Sequence, residues 1–143
     1  MTITHPAARH GRTVSIYLAV CLLAAACGGS SSPTAPSSGP SLTATFSSIQ
    51  SVVFQQRCVS CHNGGQAPDL RAGAAYANLV NAPSAETALL RVAPGDPEAS
   101  YLIHKLEGRA GIVGDRMPRG GPFLSSADIA VIRSWIQAGA PNN

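Results

Sequence analysis

Cys58-Val59-Ser60-Cys61-His62 constrains this chain more than any other stretch of it. A plain pair of cysteines three positions apart serves as a redox dithiol, as half of a zinc site or as a local disulfide. A thioredoxin-like dithiol calls for a βαβ setting, which the sequence lacks, and zinc calls for four ligands with a second cluster. The histidine directly after the second cysteine points elsewhere. Each thiol can add to a vinyl group of a haem, and the adjacent imidazole then reaches the iron. The expectation is one covalent haem c on Cys58 and Cys61, with His62 as proximal iron ligand.

The first residues set the compartment. Arg9, His10 and Arg12 form a basic stretch ahead of an apolar run from Val14 to Ala26. At about thirteen residues that run is too short for a permanent transmembrane helix, and 1–26 reads as an export signal. Ala24-Ala25-Ala26-Cys27 resembles the lipobox of bacterial lipoproteins, in which the cysteine is acylated and becomes the new N-terminus, although Ala24 stands where a larger aliphatic residue is usual. The alternative is cleavage after Ala26, leaving a soluble periplasmic or secreted protein. Residues 28–40 hold only Gly, Ser, Pro, Thr and Ala, a composition that cannot bury a core and suits a flexible tether. Gly28 after Cys27 looks like an outer-membrane sorting preference. The expected layout is a signal at 1–26, a lipidated Cys27 with its tether at 27–44, and one domain at 45–143.

Cysteine use then closes. Cys21 leaves with the signal, Cys27 takes lipid, and Cys58 and Cys61 take haem, so no disulfide framework is expected. Loss of Arg9 and Arg12 cuts the formal charge of +3 and leaves eight basic residues against seven acidic ones. No basic patch marks a nucleic-acid partner. The expected partners are redox proteins, and the membrane through the lipid.

Apolar periodicity in the domain is helical. Phe46, Ile49, Val52 and Val53 form a stripe that leads into the cysteine motif, and Ile129, Ile132, Trp135 and Ile136 repeat that spacing near the other end. Ser125 with Asp128 predicts the N-terminus of this last helix; Gly139 and Pro141 predict its stop. A short helix is expected over 72–81, and another after Asp96-Pro97, with Tyr101, Leu102 and Leu106 facing inward and Gly108 ending it. No stretch alternates as a strand pair. The fold class is therefore all-α, and because large side chains are few, a porphyrin is expected to supply much of the core.

Iron needs a second axial ligand. Met117 lies in Asp115-Arg116-Met117-Pro118-Arg119-Gly120-Gly121-Pro122, a loop shaped by Pro and Gly rather than by helix periodicity, and is the favoured candidate. His104, or an open iron, is the alternative. A second shell should hold the free ring N–H of His62, with the carbonyl of Pro68 or another in 63–70 as acceptor. Arg116 and Arg119 are candidates to pair with a haem propionate, or are simply solvated loop charges.

Four blocks of the domain are similar to the class I cytochrome c-like domains common in planctomycetes and other bacterial secreted proteins. They are C-V-S-C-H at 58–62, P-G-D-P-E-A-S-Y-L at 94–102, M-P-R-G-G-P at 117–122 and L-S-S-A-D-I-A-V-I-R-S-W-I-Q-A-G-A-P at 124–141. The resemblance implies a small helical domain wrapped around one haem, His62 as proximal and Met117 as distal ligand, and a role as an electron carrier rather than an enzyme. The alternative is a haem-based sensor or a redox-enzyme subunit with a displaceable sixth ligand.

Overall fold

The computed structural model describes Thr2 and residues 41–143. The expected signal, Cys21, the acylation site Cys27 and the tether through residue 40 otherwise lie outside the described residues. The described chain is helical. Its elements are α1 (Phe46–Ser48), a π-helical stretch (Ile49–Phe54), α2 (Gln55–Arg57), α3 (Ala75–Leu79), α4 (Tyr101–Glu107) and α5 (Ser126–Gln137). Among the described residues there is no strand, only isolated bridges such as Val80 with Val92 and Leu90 with Ser100. No helix of the described residues is long and apolar enough to cross a membrane.

The first helical run departs from its expected face in one respect. Val52 is only half-buried whereas Phe54 is buried, because the π-helical stretch widens each turn to an i→i+5 repeat. Ile49 and Phe54, five apart, therefore share the inner face. Phe46 lies 5.0 Å from Tyr76, 5.7 Å from Trp135 and 6.4 Å from Phe54 between ring centroids. This aromatic group joins the first helical run to α5, so four of the few large side chains are concentrated at one junction. Ile49, Ile103, Ile132, Trp135 and Ile136 are all fully buried in the same core. The protein's own side chains close this junction, and Cys58, Val59 and Met117 are partly buried against it.

Two helix boundaries also differ. The segment 72–81 is helical only over Ala75–Leu79, since Val80 turns extended to bridge Val92 and Asn81 adopts φ 57°. Asp96 does cap, but its Oδ1 accepts from the Glu98 and Ala99 amides at 2.9 and 3.0 Å and closes a separate turn. Ser100 is the residue that precedes α4. Its hydroxyl is buried, donates to the Asp96 carbonyl at 2.7 Å and accepts from the Ala93 amide at 2.9 Å, while its backbone stays extended against Leu90.

The ends of the last two helices follow the sequence closely. Gly108 stops α4 with φ 71°, and Ser125 caps α5 in a reciprocal capping box with Asp128. Beyond α5 the chain folds back onto the first helix. Asn143 accepts the Phe46 amide on Oδ1 at 2.9 Å and the Ser47 amide on its main-chain oxygen at 2.8 Å. These are first-turn amides that have no partner within their own helix. The Trp135 indole donates to the Pro141 carbonyl, and the Tyr76 hydroxyl to that of Ala140, each at 2.9 Å.

Candidate functional site

Cys58 to His62 continue the first helical run as one further turn. The Cys58 and Val59 amides both donate to the Phe54 carbonyl, at 2.9 and 3.0 Å, and the Cys58 carbonyl accepts the amides of Cys61 and His62 at 3.1 and 2.9 Å. Positions three and four apart on such a turn share a face. The turn thus places Cys61 and His62 on the side of Cys58, and both cysteines are free thiols. They differ in setting. Cys61 is exposed, whereas burial pushes the Cys58 thiol up to about 11 from 9.0, against the opposing pull of the Arg57 charge. Among the described residues no three His, Cys, Asp or Glu side chains come together as a group that could hold a metal ion.

The loop after the turn returns to hold the imidazole. His62 Nδ1 donates to the Pro68 carbonyl at 3.0 Å, the acceptor expected from the sequence. A carbonyl can only accept, so Nδ1 carries a proton, and in the neutral imidazole Nε2 then keeps its lone pair. That is the tautomer an imidazole needs to ligate a metal through Nε2. The loop is closed twice more. The Leu70 amide donates to the His62 carbonyl at 2.9 Å, and Gln50 Nε2 donates to the Leu70 carbonyl at 3.0 Å. Gln50 was not legible as a supporting residue, because a lone polar position inside a helical stripe carries no signal about a partner twenty residues away. Its Oε1 is buried without a protein partner.

Met117 is half-buried against the core, as Cys58 is. Its loop is held by the end of α4. The last carbonyls of a helix lack intrahelical partners; here the Lys105 carbonyl accepts the Met117 amide at 2.9 Å, and the Leu106 carbonyl accepts Arg116 Nε at 2.8 Å. Val113 and Phe123, the exposed large apolar residues among the described ones, flank Met117 in sequence. His104 is placed differently. Its Nε2 donates to the Glu98 carbonyl at 2.7 Å, within a network of Glu98, Glu107, Arg109 and Arg133, so that nitrogen is already engaged. Arg116 stacks on the Phe123 ring at 4.1 Å and Arg119 pairs with Asp115 at 3.0 Å, which gives each a local partner.

Two unpaired thiols on one turn, an imidazole engaged through Nδ1, and a thioether packed against the core are the donor types that a haem of c type would take. In comparison with known proteins, no protein family, no curated protein and no solved structure matches the chain.

Proposed function

We propose that this protein is a mono-haem c-type cytochrome, an electron carrier held at the periplasmic side of a bacterial membrane through Cys27. One observation carries the reading most: His62, next in sequence to a two-thiol turn, is locked by Pro68 into the tautomer that frees Nε2. Cys58 and Cys61 would hold the haem covalently, with His62 and Met117 as axial ligands. Bound there, haem supplies a one-electron couple, and thioether ligation raises its potential.

The chain's own residues do the rest. Pro68, Leu70 and Gln50 fix the imidazole plane, which limits reorganisation when the charge on its partner changes. His62 and Met117 together would leave no coordination position for oxygen or peroxide. That favours electron transfer over sensing or catalysis.

The test is expression with a c-type haem assembly system, followed by intact mass and absorption spectra in both oxidation states. The expected mass is that of the processed chain plus one haem. A thioether-to-iron charge-transfer band should vanish in Met117→Ala and persist in His104→Ala. A mass equal to the bare or merely lipidated polypeptide would remove the proposal. Acylation is tested separately by lipid labelling, which should be lost in Cys27→Ala.

A further inference from the structure

Val113 is a loop residue that is 51% exposed, so burial does not hold it. Both of its backbone polar groups are nevertheless taken by side chains one turn apart on α4. Its amide donates to the Tyr101 hydroxyl at 2.9 Å, and its carbonyl accepts from Lys105 Nζ at 2.6 Å. A third residue orients the pair. The Tyr101 hydroxyl donates to Glu86 Oε2 at 2.7 Å, which turns its lone pair toward Val113, and Lys105 Nζ lies 3.6 Å from the same carboxylate. The Lys105 side chain is only 12% exposed, unusual for a residue that ordinarily keeps its ammonium in water. Four residues past Val113, the Met117 amide is held by the backbone carbonyl of that same Lys105. The span 113–117 is thus fastened at both ends to one helix.

We propose that Glu86, Tyr101 and Lys105 are positioning residues for Met117, clamping Val113 and thereby setting how often the thioether leaves the iron. The inference rests on the haem reading above and goes beyond it by naming what controls the sixth ligand. None of the three is proposed as an iron ligand. They act by holding the loop, so losing one raises the population in which Met117 has swung away.

The experiment uses the full-length holoprotein and two readouts. Carbon monoxide associates with reduced iron only when Met117 is off, so its association rate reports that population. Loss of one loop hydrogen bond is expected to raise the rate about fivefold to tenfold in Tyr101→Phe and in Lys105→Gln. Glu86→Gln, which keeps an acceptor for the hydroxyl, should move it much less. Arg133→Gln loosens the ion pairs that α5 makes with α4 and Glu98 without touching the loop, and should leave the rate unchanged. Equal rates in wild type, Tyr101→Phe and Lys105→Gln would overturn the proposal, as would an Arg133→Gln effect as large as theirs.

Hydrogen exchange at the Val113 and Met117 amides, measured on the same preparations whatever their mass, does not depend on haem. Faster exchange in Tyr101→Phe is expected; unchanged exchange would dismiss the clamp itself. Faster exchange with an unchanged carbon monoxide rate would show a held loop that does not position Met117, which also overturns the inference. Absence of haem from the wild-type mass would instead be the failure of the function reading.

Discussion

His62 Nδ1 donates to the carbonyl of Pro68 at 3.0 Å, and the Pro68 loop is in turn fastened to the first helical run by Gln50, whose Nε2 reaches the Leu70 carbonyl at 3.0 Å. The imidazole is therefore oriented from a helix that precedes it, through a loop that follows it.

Gln50→Glu tests that support. At neutral pH the substitution replaces a donor with a carboxylate facing the Leu70 carbonyl in a partly buried position, and should cost about 2 kcal/mol of stability. Such a carboxyl has a raised folded-state pKa. The loss should therefore shrink as pH falls toward 5, when the protonated acid can again donate to Leu70. Urea midpoints of wild type and variant at pH 7 and pH 5 check this; a gap that does not narrow in acid would contradict the assigned contact.

Thiol chemistry gives a second prediction, made for protein produced without haem assembly. Burial lifts the Cys58 thiol from 9.0 to about 11, which lowers its reactive thiolate about a hundredfold relative to an ordinary cysteine near neutral pH. Exposed Cys61 should be alkylated well before Cys58 when labelling is followed by peptide mass mapping. In the haem-assembled protein neither should react. Equal labelling rates would mean that Cys58 is not shielded from solvent more than Cys61.

Glu98 sets an acid limit on stability. Hydrogen bonds from Arg109 and then Arg133 lower its carboxyl from 4.5 to about 2. A carboxyl depressed in the folded state adds stability that is complete above its unfolded value of 4.5 and is lost as pH falls from there toward 2. Urea midpoints should decline over that window in wild type and decline less in Glu98→Gln. Parallel pH profiles would remove Glu98 as a contributor. Because Glu98 is exposed, the difference is expected to shrink in high salt.

Gly108 is required twice over. Its φ of 71° favours glycine, and a Cβ there would lie 2.7 Å from Cδ of Arg116, next to Met117. Gly108→Ala should cost about 1–2 kcal/mol from the backbone alone and displace Arg116 as well. Asn tolerates the left-handed backbone but still carries a Cβ. Gly108→Asn should therefore recover part of the stability while the thioether-to-iron band remains weakened; full recovery of that band would show that the Arg116 contact is immaterial.

Much of this organisation was legible because it is local. The capping box of Ser125 and Asp128 lies within one helical turn, Gly108 ends α4 through its own backbone freedom, and the Cys58–His62 spacing is a single turn of chain. The boundaries that differ depend on segments of backbone outside the helix concerned. Val80 leaves its helix early because Val92 pairs with it, and α4 starts late because Leu90 and Ala93 hold Ser100 extended. The π-helical repeat that moved Phe54 inward leaves no mark in apolar spacing.

By itself, then, the order of residues determined an all-α domain, its two amphipathic terminal helices, and a thiol–thiol–imidazole turn between them, since each depends on interactions within a few positions. Only the folded chain decided which groups far apart in sequence meet. Asn143 caps the first turn at Phe46, Gln50 braces the His62 loop through Leu70, and Tyr101 with Lys105 secures Val113 ahead of Met117. The reason is physical: side-chain hydrogen bonds across a loop depend on where packing brings the backbone, and many residue types at either end can make them. Periodicity records which face is buried, but carries no record of which polar atom on that face finds a partner.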